Sequence, residues 1–123
     1  MLYETIEINN KEYKLCLPMR HTIQLEKKIG TNPLNKLMEM SNSDGDNKLP
    51  DFEFITYVFH YSLQKYQSNI SLEDTYDLVD KYLEEHDMAQ LIQTVMKIFE
   101  VSGFFKIPET ATEEAETKKM KKK

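Results

Sequence analysis

The chain opens with two short alternating runs, YETIEI and EYKLCL, separated by NNK. Alternation with a period of two marks a half-buried strand. Asn9 and Asn10 can take the positive φ that a tight hairpin turn demands. The pattern predicts a β-hairpin over residues 3–8 and 12–17, with its register open because Tyr3, Ile6 and Ile8 do not alternate strictly. After Pro18 the period becomes helical. In MRHTIQLEKKIG the apolar side is Ile23, Leu25 and Ile29, and Gly30 can supply the left-handed stop. In TNPLNKLMEM, Asn32 is a good N-cap, Pro33 fits the first helical position, and Leu34, Leu37 and Met38 share a face.

SNSDGDNKLP at 41–50 reads as a loop by composition. Asn42, Asp44 and Gly45 match three positions of a calcium loop. However, Met40 would be its first ligand and Asp51 would replace its closing Glu, so a linker is the better reading.

The run DFEFITYVFHYSLQKYQ predicts a helix over 51–67. Phe52, Ile55, Phe59, Leu63 and Tyr66 form one stripe; Phe54, Tyr57 and Tyr61 form a second on nearly the opposite side. Two readings stay open. A helix apolar on both sides is usually central in its domain. Alternatively, the second stripe faces a partner, a role that suits tyrosine because it buries area at low entropic cost. SLEDTYDLVDKYLEEHD follows, with Ser71 and Asp74 as an Asp version of the capping box. Leu72, Tyr76, Val79 and Leu83 are its expected buried stripe; Glu73, Asp77, Asp80 and Glu84 are its solvated or partner-facing side. The last helix, about 88–102, takes Asp87 as cap and buries Met88, Leu91, Ile92, Val95, Ile98 and Phe99. Gly103 should end it, with Phe104 packing back and Phe105 and Ile107 continuing the contact.

The fold expected is mainly α (α+β), an N-terminal hairpin packed on a bundle of about five short-to-medium helices in one domain over residues 1–107. From Pro108 the composition changes to PETATEEAETKKMKKK, which has little to bury and is expected to be a disordered charged tail over 108–123. The net charge of −5 argues against binding a phosphate backbone. No apolar run approaches a membrane span, and the first residues lack the basic and apolar regions of a signal peptide, so neither membrane nor secretion is expected. The one cysteine, Cys16, suits a reducing compartment. His21, His60 and His86 fall in different elements, and no nucleophile, metal or phosphate-loop motif occurs. The residues therefore lead to a non-enzymatic protein-binding domain without cofactor or metal. Its candidate contact residues are Phe54, Tyr57, Tyr61, Phe104 and Phe105.

Three stretches extend this reading. YKLCLPMRHTIQLEKKIGTNPLNKLM resembles the opening of tail assembly chaperones from long-tailed (siphovirus-type) bacteriophages and prophages, LQKYQSNISLEDTYDLVDKYLEE resembles their middle, and LIQTVMKIFEVSGFF their end. The resemblance covers roughly residues 12–105. It implies a protein of the bacterial host cytoplasm that coats the tape-measure protein, helps recruit tail-tube subunits and is absent from the mature virion. It brings no catalytic residues, and self-association stays open. The rival readings are a small head–tail joining protein and a cytosolic regulatory adaptor. The resemblance also suggests a source for the terminal KKMKKK. Lysine codons can form a slippery heptamer, so the chain would be the short product of a −1 frameshift that also yields a longer form.

Overall fold

The computed structural model describes residues 2–41 and 51–106. The linker expected at 41–50 lies outside them except for Ser41, and so does the tail expected at 108–123.

β1 (Glu4–Ile8) and β2 (Lys11–Leu15) form an antiparallel hairpin, with Ile6 opposite Tyr13 and Ile8 opposite Lys11. Asn9 and Asn10 have φ of 55° and 65°. Two successive positive values match the twist of a two-residue hairpin. β2 stops two residues sooner than its apolar pattern suggests. The Cys16 N–H leaves the ladder and donates to the Ser62 carbonyl at 3.0 Å, and the Leu17 N–H donates to Ser102 Oγ at 2.7 Å. Further back, the Lys14 N–H donates to Gln67 Oε1, and Gln67 Nε2 donates to the Lys14 carbonyl, both at 2.9 Å. One side-chain amide thus satisfies both polar groups of an edge-strand residue, as a neighbouring strand would.

Five helices follow: α1 (Met19–Ile29), α2 (Pro33–Ser41), α3 (Phe52–Leu63), α4 (Leu72–Glu85) and α5 (Met88–Val101). Their ends follow the chemistry of the sequence. Gly30, at φ 78°, closes α1 by donating to the Glu26 carbonyl. Asn32 Oδ1 accepts from the Leu34 N–H at 2.8 Å at the start of α2. Ser71 with Asp74, and Asp87 with Gln90, form reciprocal capping boxes on α4 and α5. After α5, Gly103 (φ 94°) donates to Glu100 and Phe104 to Phe99, and the Phe99 and Phe104 rings lie 5.8 Å apart. That is a Schellman ending with its hydrophobic contact.

The helix faces are less faithful to the sequence reading. On α1 the core face is Thr22 and Leu25 with Ile29 beside them, whereas Ile23 is exposed. On α2, Leu37 is buried and Met38 exposed. On α4 the buried positions are Thr75 and Tyr82, flanked by Leu78 and Val79, and Tyr76 is exposed. On α1 and α4 the reason is the same. A stripe chosen from apolar residues alone drifts toward large side chains, while a small threonine can occupy the closest approach between helices. Thr22, Thr75 and Thr94 each return their hydroxyl to a carbonyl four residues back, so burial leaves it satisfied.

α3 organises the core. It packs against α1, α4, α5 and β2. Phe54, Ile55, Val58, Phe59, Ser62 and Leu63 are all buried, about half the helix circumference at about 100° per residue. The helix ends at Leu63 rather than Gln67, and Tyr66 lies beyond it on the surface.

Candidate protein-docking site

The aromatic run of α3 divides between core and surface. Phe54 is 1% exposed, so it belongs to the core and is not available to a partner. Tyr57 and Tyr61 are half-buried against the core cluster; Lys28 Nζ stands 5.4 Å from the Tyr57 ring, and the Tyr61 ring meets His60 at 4.8 Å. The central-helix reading holds for Phe54; Tyr57 and Tyr61 each keep an accessible side beside the α1–α3 contact. Phe104 and Phe105 are also half-buried. Together with Leu34, Leu37, Met38 and Met96 they line an apolar cleft of about 330 Å³ between α2 and α5.

A second apolar site lies on the other side of α3, where no sequence motif marks it. A groove of about 280 Å³ runs between the start of α3 and the Tyr76–Leu83 stretch of α4, with the start of α5 also lining it. Ile55, Leu83, Met88 and Leu91 lie toward its base, and Phe52 and Tyr76 stand at its edges. Phe52 is 67% exposed and Tyr76 44%. The apolar pattern places Phe52 on a stripe with Ile55 and Phe59, and Tyr76 on the expected buried stripe of α4. The signal that could have separated them is position. Phe52 is the first residue of its helix, beside the polar 41–50 stretch. Tyr76 is flanked by Asp77 and Asp80 on a helix whose deep positions are the threonine and tyrosine at 75 and 82.

The groove's rim is acidic. Asp80 lines it, and Glu73, Asp77 and Glu84 recur along the same side of α4 at helical spacing. Other acidic groups nearby have structural partners: Asp51 pairs with Lys36 at 3.1 Å, Asp74 and Asp87 cap helices, and Glu85 accepts from the Asn9 N–H. The rim carboxylates make no ion pair among the described residues.

At the α3–α4 junction His60 ties the two helices. Gln64 Nε2 donates to the His60 and Ile70 carbonyls, and Thr75 Oγ1 donates to the Ser71 carbonyl. Those donors are used, so His60 Nδ1 carries the proton and donates to Thr75 Oγ1 at 3.2 Å. Burial, and secondarily the charge of Lys28, hold the His60 pKa below its usual value. Burial, then Arg20 and Lys65, do the same for His21. Burial pushes the Cys16 thiol up, which makes it a core residue rather than a reactive one.

Among the described residues, no group of three or more His, Cys, Asp or Glu is arranged to hold a metal ion, and no helix is long and apolar enough to cross a membrane. What the site offers is a solvent-open apolar surface with an acidic edge, suited to burying part of another polypeptide. No curated protein and no solved structure matches the chain at a significant level. Residues 2–121 match the family described as "Family of unknown function (DUF6096)". With nearly its whole length matched, the chain belongs to that family.

Proposed function

We propose that the chain is a tail assembly chaperone of a long-tailed bacteriophage or prophage. It shields helical segments of the tape-measure protein in the host cytoplasm until tail-tube subunits replace it. The role is binding, with no catalytic step, cofactor, nucleic acid or membrane. The sequence resemblance of residues 12–105 supports the class of protein. The observation that carries the binding site is the solvent-open groove between α3 and α4, with Phe52 and Tyr76 standing over an apolar floor.

A chaperone of this kind must hold an aggregation-prone client and then release it. A shallow groove on one small domain gives each contact modest affinity. Many copies along one long client hold together by avidity, and each remains easy to displace. The Phe104–Phe105 cleft offers a second apolar surface for the client or for the tube subunit.

Co-expression with the tape-measure protein tests the reading. The chain is expected to co-purify with it and keep it soluble. A Phe52→Ser, Tyr76→Ser double variant should lose the client while unfolding cooperatively. A soluble, folded chain that never captures the tape measure would overturn the proposal. Recovery of the chain from purified particles would replace it with the head–tail joining role.

A further inference from the structure

We infer that the α3–α4 groove takes an amphipathic helix whose apolar face is flanked by lysine or arginine. The inference rests on reading the groove as a docking site, not on which protein docks there.

Shape sets the first requirement. The α4 wall runs from Tyr76 to Leu83, about 10 Å or two helical turns at 1.5 Å per residue. A helix laid along it would place apolar residues at i, i+3 or i+4, and i+7 between Phe52 and Tyr76, the helix-in-groove mode of peptide recognition.

Charge sets the second. Asp80 faces the groove, and Glu73, Asp77 and Glu84 continue the row along the exposed side of α4. Glu53 adds a carboxylate in the first turn of α3. No basic side chain lines the groove among the described residues. Lys81 neighbours Asp77 and Glu84 at helical spacing but lies on the flank of that row away from the groove, beyond Asp80, and Lys28 belongs to the Tyr57 side of α3. Like charges at i, i+4 on a helix repel by a few tenths of a kcal/mol per pair. A partner bringing cations beside its apolar face relieves that repulsion, and an acidic partner adds to it. Because these carboxylates are exposed, their effect falls on discrimination and encounter rate more than on total affinity.

The test uses the full chain and two synthetic helical peptides with identical apolar residues, one flanked by lysines and one by glutamates. Binding is read by fluorescence anisotropy at low and high salt. The lysine peptide is expected to bind at least about tenfold more tightly, a difference of about 1.4 kcal/mol, and to lose most of that advantage at high salt. Phe52→Ser should weaken it, and Asp77→Lys with Asp80→Lys should reverse the preference while the far-ultraviolet spectrum stays unchanged.

Equal binding of both peptides would overturn the charge requirement and leave the docking reading intact. Binding of neither would overturn both. A lysine peptide with scrambled apolar positions that binds as well would also overturn the inference. So would a rise of tenfold or more in peptide affinity on replacing Lys118, Lys119, Lys121, Lys122 and Lys123 by serine, because the chain's own basic end would then be the occupant. Self-association that disappears with Phe52→Ser would make a second copy the occupant instead. If the lysine peptide binds as expected and the tape-measure protein is not captured, the function proposed above fails alone.

Discussion

Two parts of α3, built from the same kinds of residue, have opposite fates. Its centre buries Phe54, Ile55, Val58, Phe59, Ser62 and Leu63 among α1, α4, α5 and β2. Its leading edge, where Phe52 meets Tyr76 across the groove, is left open. Hydrophobicity does not distinguish them, since Phe52 and Phe54 are the same amino acid two positions apart. What differs is the neighbour each is given. An aromatic residue becomes core when another element crosses above it and becomes a contact surface when none does. If this division is right, substitutions in the centre should act on stability and substitutions at the edge on binding.

The centre gives the largest expected effect. Phe59 is 1% exposed and its ring meets Tyr82 edge-on at 5.9 Å. Phe59→Ala should destabilise the domain by about 3–5 kcal/mol, the usual range for removing a buried aromatic ring. Chemical denaturation followed by circular dichroism would measure it. A loss below about 1 kcal/mol would mean that the centre repacks easily and that the contrast with the edge is weak. By the same logic, a triple change of Phe54, Tyr57 and Tyr61 to serine should unfold the protein rather than selectively weaken binding.

Gln67 tests whether the hairpin is fixed to the end of α3 by its polar groups. Gln67→Ala would leave the Lys14 N–H and carbonyl without their side-chain partners. The site is only part-buried, so water can replace some of the loss, and about 1–2 kcal/mol is expected. Amide exchange at Lys14 should quicken more than exchange at Leu91 in α5. Equal acceleration at both would show a global effect instead of a local one.

These details mark the boundary of what could be read in advance. The hairpin, the helix order and most helix ends were legible because they depend on local chemistry. Asn9-Asn10, Ser71, Asp87 and Gly103 carry their geometry in their own backbone and side chains. The faces were less legible because they depend on what packs opposite. Thr75 gave no hydrophobic signal yet is buried, while Tyr76 gave a strong one yet is exposed. The candidate site suffered most. Tyr57, Tyr61, Phe104 and Phe105 proved half-accessible, Phe54 proved core, and the groove at Phe52 and Tyr76 required α3, α4 and α5 to be placed together. Gln67 pairing with Lys14 across 53 positions has no sequence signature at all.

The junction between centre and edge should be sensitive to acid. His60 is held neutral in the folded state by burial and by Lys28, so its folded pKa lies below the unfolded value of about 6.5. Between those two values the unfolded chain binds more protons, and stability falls as pH falls. The loss begins near the unfolded pKa and levels off below the folded one. His21 shifts in the same direction and contributes to the same window. His60→Gln should therefore flatten the dependence of stability on pH just below 6.5 without removing it. An unchanged slope would mean that His60 titrates alike in both states and does not couple α3 to α4 through its charge.

The smallest expected effect on stability is the most informative about the groove. Phe52 is two-thirds exposed, at the first position of α3, and no hydrogen bond depends on its side chain among the described residues. Phe52→Ser should change unfolding free energy by no more than about 0.5 kcal/mol, as surface substitutions away from special features do. Its cost should appear instead in client or peptide binding, because an aromatic residue at the edge of an apolar groove is the type that anchors a partner. Running denaturation and binding on the same preparation separates the two readings. A loss of stability approaching that of Phe59→Ala would make Phe52 a core residue and close the groove as a candidate site. Unchanged stability with unchanged binding would leave the groove open but unused. Only unchanged stability with weakened binding fits an edge kept apolar for a partner, because without one nothing in the fold of α3 requires a phenylalanine there.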